Sequence, residues 1–153
     1  MGSKLVLFFT AWFLSFAAIA SDGMVNISSD FSVKETANRF ENIIKNKGLT
    51  LFTRIDHSKN AAKIGKTLRP TELVLFGNPK IGTPLMQCSQ EVAIDLPQKA
   101  LIWEDKSGDV WFSYNAPNYL SKRHNIEGCK ALILKVSNAL KKLGQAATKA
   151  NDK

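Results

Sequence analysis

A chain of 153 residues with 44% apolar side chains suits one domain with a proper core. The formal charge of +8 is unevenly spread: residues 21–119 hold 12 basic and 11 acidic side chains, and residues 120–153 hold 8 and 2. Basicity therefore belongs to the C-terminal segment and not to the fold as a whole, and no nucleic-acid partner is expected.

Lys4 is the only charge in the first 21 residues, and the apolar run Leu5 to Phe16 leads to Ala18-Ile19-Ala20. This layout predicts a secretory signal peptide over residues 1–20, cleaved after Ala20. No cysteine lies near the cut, which argues against a lipid anchor. The expected location is outside the cytoplasm: periplasmic in a two-membrane bacterium, secreted otherwise.

Met24-Val25-Asn26-Ile27 reads as a first strand. Ser32 and Glu35 form a capping-box pattern, and Val33, Ala37, Phe40 and Ile44 mark one face of the helix that follows, which Gly48 stops. Leu49, Leu51, Thr53 and Ile55 alternate with Thr50, Phe52, Arg54 and Asp56 as a second strand. Ala61, Ile64 and Leu68 predict a short helix, and Leu73-Val74-Leu75-Phe76 a buried strand broken by Gly77-Asn78-Pro79. A helix with Thr83 as its cap and Pro84 at its first position comes next.

Two strands around Leu101-Ile102-Trp103-Glu104 and Val110-Trp111-Phe112-Ser113-Tyr114 flank the turn Lys106-Ser107-Gly108-Asp109 as a hairpin. The chain is helical from Pro117, in up to two pieces, and Cys129, Ile133, Val136, Leu140 and Leu143 form the buried stripe of the last helix. Residues 21–144 are read as the domain and 145–153 as a frayed tail without apolar pattern. The order β-α-β-α-β-α-β-β-α predicts an α+β domain. Its sheet is expected to be mixed, because a helix between two strands of one sheet usually makes a parallel crossover. Helices on one face only would leave the other face to solvent or a partner.

Thr53-Arg54-Ile55-Asp56-His57, Phe76-Gly77-Asn78-Pro79, Gly82-Thr83-Pro84-Leu85-Met86, Asp95-Leu96-Pro97 and Ser113-Tyr114-Asn115 follow one another in a series that resembles the family called domain of unknown function 302. The resemblance runs from about Ser32 to His124. It implies a compact α/β fold and brings no agreed activity, cofactor or catalytic residue; it does not reach the basic last helix.

Ligands of open sheets with parallel strands gather at the strands' carboxyl ends. A parallel arrangement of the second and third strands would put Asp56, His57 and Asn78 on one rim, as a ligand-binding site suited to a small, anionic molecule. Capping and turn roles explain the same residues without a ligand. An enzyme with an unrecognised site around Asp56 and His57 is the alternative. A periplasmic metal-binding protein is the further one, with His57, His124, Met86, Cys88 and Cys129 as available donors. No two of those donors stand at metal-motif spacing, no nucleophile elbow or phosphate loop occurs, and neither a cofactor nor a catalytic residue is assigned. Cys88 and Cys129 point toward the core from two helices, and export favours a bridge between them. The partners expected are a small ligand or another protein; homo-oligomerisation is open, and the basic last helix would be weakly attracted to anionic surfaces.

Overall fold

The computed structural model describes residues 23–150. The signal peptide expected over residues 1–20 lies outside the described residues. Five strands, β1 (Met24–Ser29), β2 (Thr50–Asp56), β3 (Thr71–Gly77), β4 (Gln98–Glu104) and β5 (Val110–Asn115), form one sheet in the order β1-β5-β4-β3-β2. Five helices complete the domain: α1 (Val33–Asn46), α2 (His57–Lys63), α3 (Pro79–Cys88), α4 (Pro117–Arg123) and α5 (Lys130–Thr148). A 3-10 segment, Gln90–Asp95, joins α3 to β4. The α+β class and the element order are those expected.

The sheet is not mixed: every pairing in it is antiparallel. The reason lies in the connections. A parallel return beside β2 would need a helix about as long as the strand, roughly 23 Å for seven residues at 3.3 Å each. The seven residues of α2 span only about 10 Å at 1.5 Å each, so the chain turns at the end of β2 and comes straight back as β3. The 14-residue α1 instead crosses the whole sheet, from the β1 edge to the β2 edge.

Alternation along the strands gives the sheet a covered face and a bare one. Val74, Phe76, Ala100, Ile102, Phe112 and Tyr114 point to the covered face and are buried with Phe40 and Ile44 of α1 and Ile133, Val136, Leu140 and Leu143 of α5. Phe40 stands edge-on to both Phe76 and Phe112, at 4.9 Å between ring centroids in each case. Ser32 caps α1 by accepting the Glu35 N–H at 3.2 Å, and Gly48 follows its end at φ 67°.

Three local expectations change. A bulge at Phe52 breaks the alternation of β2: Leu51 packs on the core, whereas Thr53 and Ile55 pair with Leu75 and Leu73 on the bare face. Arg54 is thereby turned toward the helices, where it bonds Glu72, Asn38 and Glu41. The third helix begins at Pro79 and not at Pro84: Asn78 caps it by accepting the Lys80 N–H at 2.9 Å, and Pro84 lies inside. Gly77-Asn78-Pro79 is a strand end and a helix start in one. Finally, α5 runs to Thr148, so residues 145–148 are not frayed. Gly144, Ala147 and Thr148 are buried, and the Thr148 carbonyl accepts the Asp30 N–H at 2.9 Å. Small residues carry that last turn, where a search for bulky apolar periodicity registers nothing.

Candidate functional site

The antiparallel pairing of β2 and β3 separates the residues expected on one rim. Asp56 pairs with Glu72 at the start of β3, while Gly77 stands beside Thr50 at the other end. Six residue steps along the strand, about 20 Å at 3.4 Å each, separate Glu72 from Asn78. A shared site of Asp56, His57 and Asn78 is therefore overturned.

At the first end, Asp56 accepts bonds from the Ser58 hydroxyl (2.6 Å) and the Lys59 N–H (2.8 Å), capping α2. These bonds, the Ser58 hydroxyl foremost, hold its carboxyl well below the usual aspartate range. Asp56 lines a polar hollow of about 550 Å³ with Lys34, Asn38, Arg54, Ser58 and Glu72. Its floor is already neutralised: Glu72, only 7% exposed, is ion-paired to Arg54, which also donates to Asn38 at 2.7 Å. Glu72 first, and then Glu41, raise the Arg54 pKa further. His57, half-buried at the first position of α2, lines neither this hollow nor the cleft at the opposite end.

That opposite end holds an apolar cleft of about 320 Å³. The strand end Gly77-Asn78, the helix α3 and the segment Leu96-Pro97-Gln98 form its walls, and Val136 of α5 closes its base. Phe52, thrown out of register by the bulge, remains 53% exposed at its margin. The walls lie close at the two glycines: a Cβ on Gly77 would make van der Waals contact with the Phe52 ring at 3.5 Å, and one on Gly82 with Leu96 Cδ1 at 3.8 Å. The lining is Phe52, Ile81, Leu85, Met86, Leu96 and Pro97, with Asn78, Thr83 and Gln98 supplying polar atoms. Three of the segments singled out in the sequence, around Gly77-Asn78, Gly82-Met86 and Leu96-Pro97, thus converge on one cavity. Among the residues expected at a ligand site, only Asn78 belongs to it.

Sequence reasoning also passed over two features nearby. Phe52 was legible as an aromatic on the polar side of a strand, a position that calls for a bulge or a ligand. The ring of His124, with only 6% of its side chain exposed, bonds Asp95, and Arg123 Nε stands 3.6 Å from the same carboxylate. With the bond from the Ser89 hydroxyl to the His124 carbonyl (3.0 Å), this ties the 3-10 segment to the end of α4. Cys88 and Cys129 are paired at disulfide distance, with Cα atoms 6.5 Å apart, so α3 and α5 meet where the stripes converge. Among the described residues, no group of three His, Cys, Asp or Glu side chains converges as a metal site.

Comparison with known proteins agrees with this architecture. Residues 25–147 match the family model described as "Domain of unknown function DUF302". A crystal structure of an uncharacterized conserved DUF302 protein from Bacillus stearothermophilus superposes with a TM-score of 0.74, at 16% identity, over 83% of this chain and 99% of that one. Fold, and not activity, is what that likeness carries. Over 110 residues (72% of the chain) the sequence is 46% identical to "Fluoride-specific ion channel FluC 1" of Brucella suis biovar 1 (strain 1330). It is equally identical to a protein of the same name from Brucella abortus biovar 1 (strain 9-941). The match spans 43% and 41% of those two proteins, so the chain corresponds to less than half of the curated relatives it resembles.

Proposed function

Because this chain belongs to the DUF302 family, whose model covers residues 25–147, and because that family brings no activity with it, we propose a function from the cleft: a non-enzymatic binding domain for a small, predominantly apolar molecule. One observation carries the reading. Three separate segments of the chain leave an open apolar cavity beside a packed core, with an exposed aromatic at its margin and a few polar atoms to orient a ligand. A volume of about 320 Å³ suits a ligand at the small end of the usual range. The N-terminal pattern of residues 1–20 supports export, so the ligand would be met outside the cytoplasm.

Decanoate, an alkyl chain with one polar end, is a suitable probe. Binding to the folded form raises the unfolding midpoint, by the equivalent of about 2.7 kcal/mol at a hundredfold excess over Kd. Phe52→Ala and Leu96→Gln should each remove most of that rise. No rise with decanoate or with alkyl amines and alcohols of the same length would sink the reading, as would a rise that both variants retain.

The Brucella relatives favour a second reading, in which this domain works beside a membrane channel. Among the described residues no helix is long and apolar enough to cross a membrane. The chain's part would be at the membrane surface, where the exposed Lys130, Lys135, Lys141 and Lys142 of α5 favour anionic headgroups. Salt-sensitive co-sedimentation with anionic vesicles, lost on neutralising Lys141 and Lys142, is the expected result. Equal sedimentation of the neutralised variant refutes it.

A further inference from the structure

We propose that a second groove, between the β1 edge of the sheet and α5, binds a small sugar acid: a single carboxylate on a body that carries several hydroxyl groups. This groove shares no lining residue with the apolar cleft, so the proposal goes beyond the cleft reading and does not depend on it.

The groove has a volume of about 380 Å³. Val25 pairs with Tyr114 at the end of the β1–β5 ladder, and these two with Ile27 give the groove an apolar floor. Asn118, on the first turn of α4, adds an amide. Ser137, Asn138, Lys141 and Gln145 come from α5, where helical spacing makes them one polar stripe beside the buried Val136, Leu140 and Gly144.

Tyr114 is the residue that points to a ligand. It is only 5% exposed and its ring belongs to the core, yet its hydroxyl makes no hydrogen bond to any described residue. Among the described residues no enclosed side-chain nitrogen or oxygen lacks a partner, so this hydroxyl opens to the groove that Tyr114 lines. A phenylalanine, as at Phe112 on the same face, would fill the core without leaving an oxygen to satisfy. Burial pushes the phenol's pKa up, so at neutral pH the hydroxyl stays protonated and both donates and accepts.

The polar groups decide the class of ligand. Lys141 brings the one positive charge: it makes no ion pair among the described residues, and no Asp or Glu lines the groove. One ammonium matches one carboxylate and would leave half of a phosphate dianion unmatched. The amides of Asn118, Asn138 and Gln145 and the hydroxyls of Tyr114 and Ser137 each supply donor and acceptor capacity, as alcohol groups do in return. The apolar floor suits the C–H face of a sugar ring, and the volume lies within the range of small-molecule sites.

Glucuronate is the probe. NMR titration of the full chain should give a dissociation constant of about 1 mM or tighter. Glucose, which lacks the charge, and acetate and inorganic phosphate, which lack the sugar hydroxyls, should each bind at least about tenfold more weakly. Tyr114→Phe removes one oxygen and keeps the ring, and should weaken glucuronate binding about fivefold. Lys141→Gln should weaken it at least about tenfold, and Lys142→Gln, the same charge change outside the groove, should leave it unaltered. Far-UV circular dichroism establishes that each variant is folded. No binding at about 10 mM glucuronate overturns the proposal. So does glucose, acetate or phosphate binding as tightly as glucuronate, undiminished affinity in either Tyr114→Phe or Lys141→Gln, or a Lys142→Gln variant weakened as much as Lys141→Gln. Binding that is seen only once residues 1–20 are removed gives the groove to the N-terminal segment and overturns it as well.

Discussion

Gly144 of α5 lies so close to Ile27 of β1 that a Cβ on it would stand 2.6 Å from Ile27 Cδ1, with the Phe112 ring at 3.1 Å. This contact brings the last helix down onto the sheet and decides how its final turn is buried. The Ile27 tip can swing aside; Phe112, 2% exposed and wedged against Phe40, cannot. Overpacking of this kind costs about 1–3 kcal/mol, against a gain of about 1 kcal/mol from replacing glycine within a helix. Gly144→Ala should therefore destabilise by about 1 kcal/mol and Gly144→Leu by about 3 kcal/mol. Urea unfolding of the two variants checks the order, and an alanine variant more stable than the parent would show that the contact is not tight.

The Cys88–Cys129 pair closes a loop of 41 positions between α3 and α5. In the chain-entropy model a bridge over such a loop contributes about 4 kcal/mol, a large share of a small domain's stability. Non-reducing mass spectrometry of the protein purified without reductant should find no alkylatable thiol after unfolding, and dithiothreitol should lower the unfolding midpoint markedly. Two free thiols, or a midpoint indifferent to reductant, would remove the bridge from the account.

Asp56 supplies the pH dependence. Its folded-state pKa is depressed, chiefly by the Ser58 hydroxyl and then by the Lys59 N–H. A depressed carboxyl contributes stability that is present above its unfolded value of about 3.9 and is lost as the pH falls from there through the folded value. Asp56→Ala removes the cap of α2 and should cost about 1 kcal/mol at pH 7. That deficit should shrink steadily below about pH 4, where the parent loses the same interaction. Acid-side unfolding curves of parent and variant that stay parallel down to pH 2 would contradict the assignment.

Much of the local structure was legible because its causes are local. Ser32 and Glu35 announce α1, Gly48 ends it, and the stripe from Ile133 to Leu143 shows which side of α5 is buried. Hairpin β4–β5 follows from its turn, and the α+β class from the order of elements. These depend on capping chemistry and on periods of 3.6 and 2, which a linear sequence displays. The cysteine pairing was foreseen from two apolar stripes, a coarser signal of the same kind.

What the sequence did not decide was direction. Whether β3 runs with β2 or against it depends on how far a seven-residue helix can carry the chain, and that choice sends Asp56 and Asn78 to opposite ends of the sheet. The Phe52 bulge exchanges the faces of Arg54 and Ile55, and only pairing with β3 reveals it. The cleft is assembled from residues as far apart as Phe52 and Val136, and the bare apolar face from strands whose neighbours are set by topology. Composition and periodicity settle which side chains must be buried. Which of them meet, and which surface stays uncovered, is a consequence of chain reversal in three dimensions, and that was decided only by the tertiary structure.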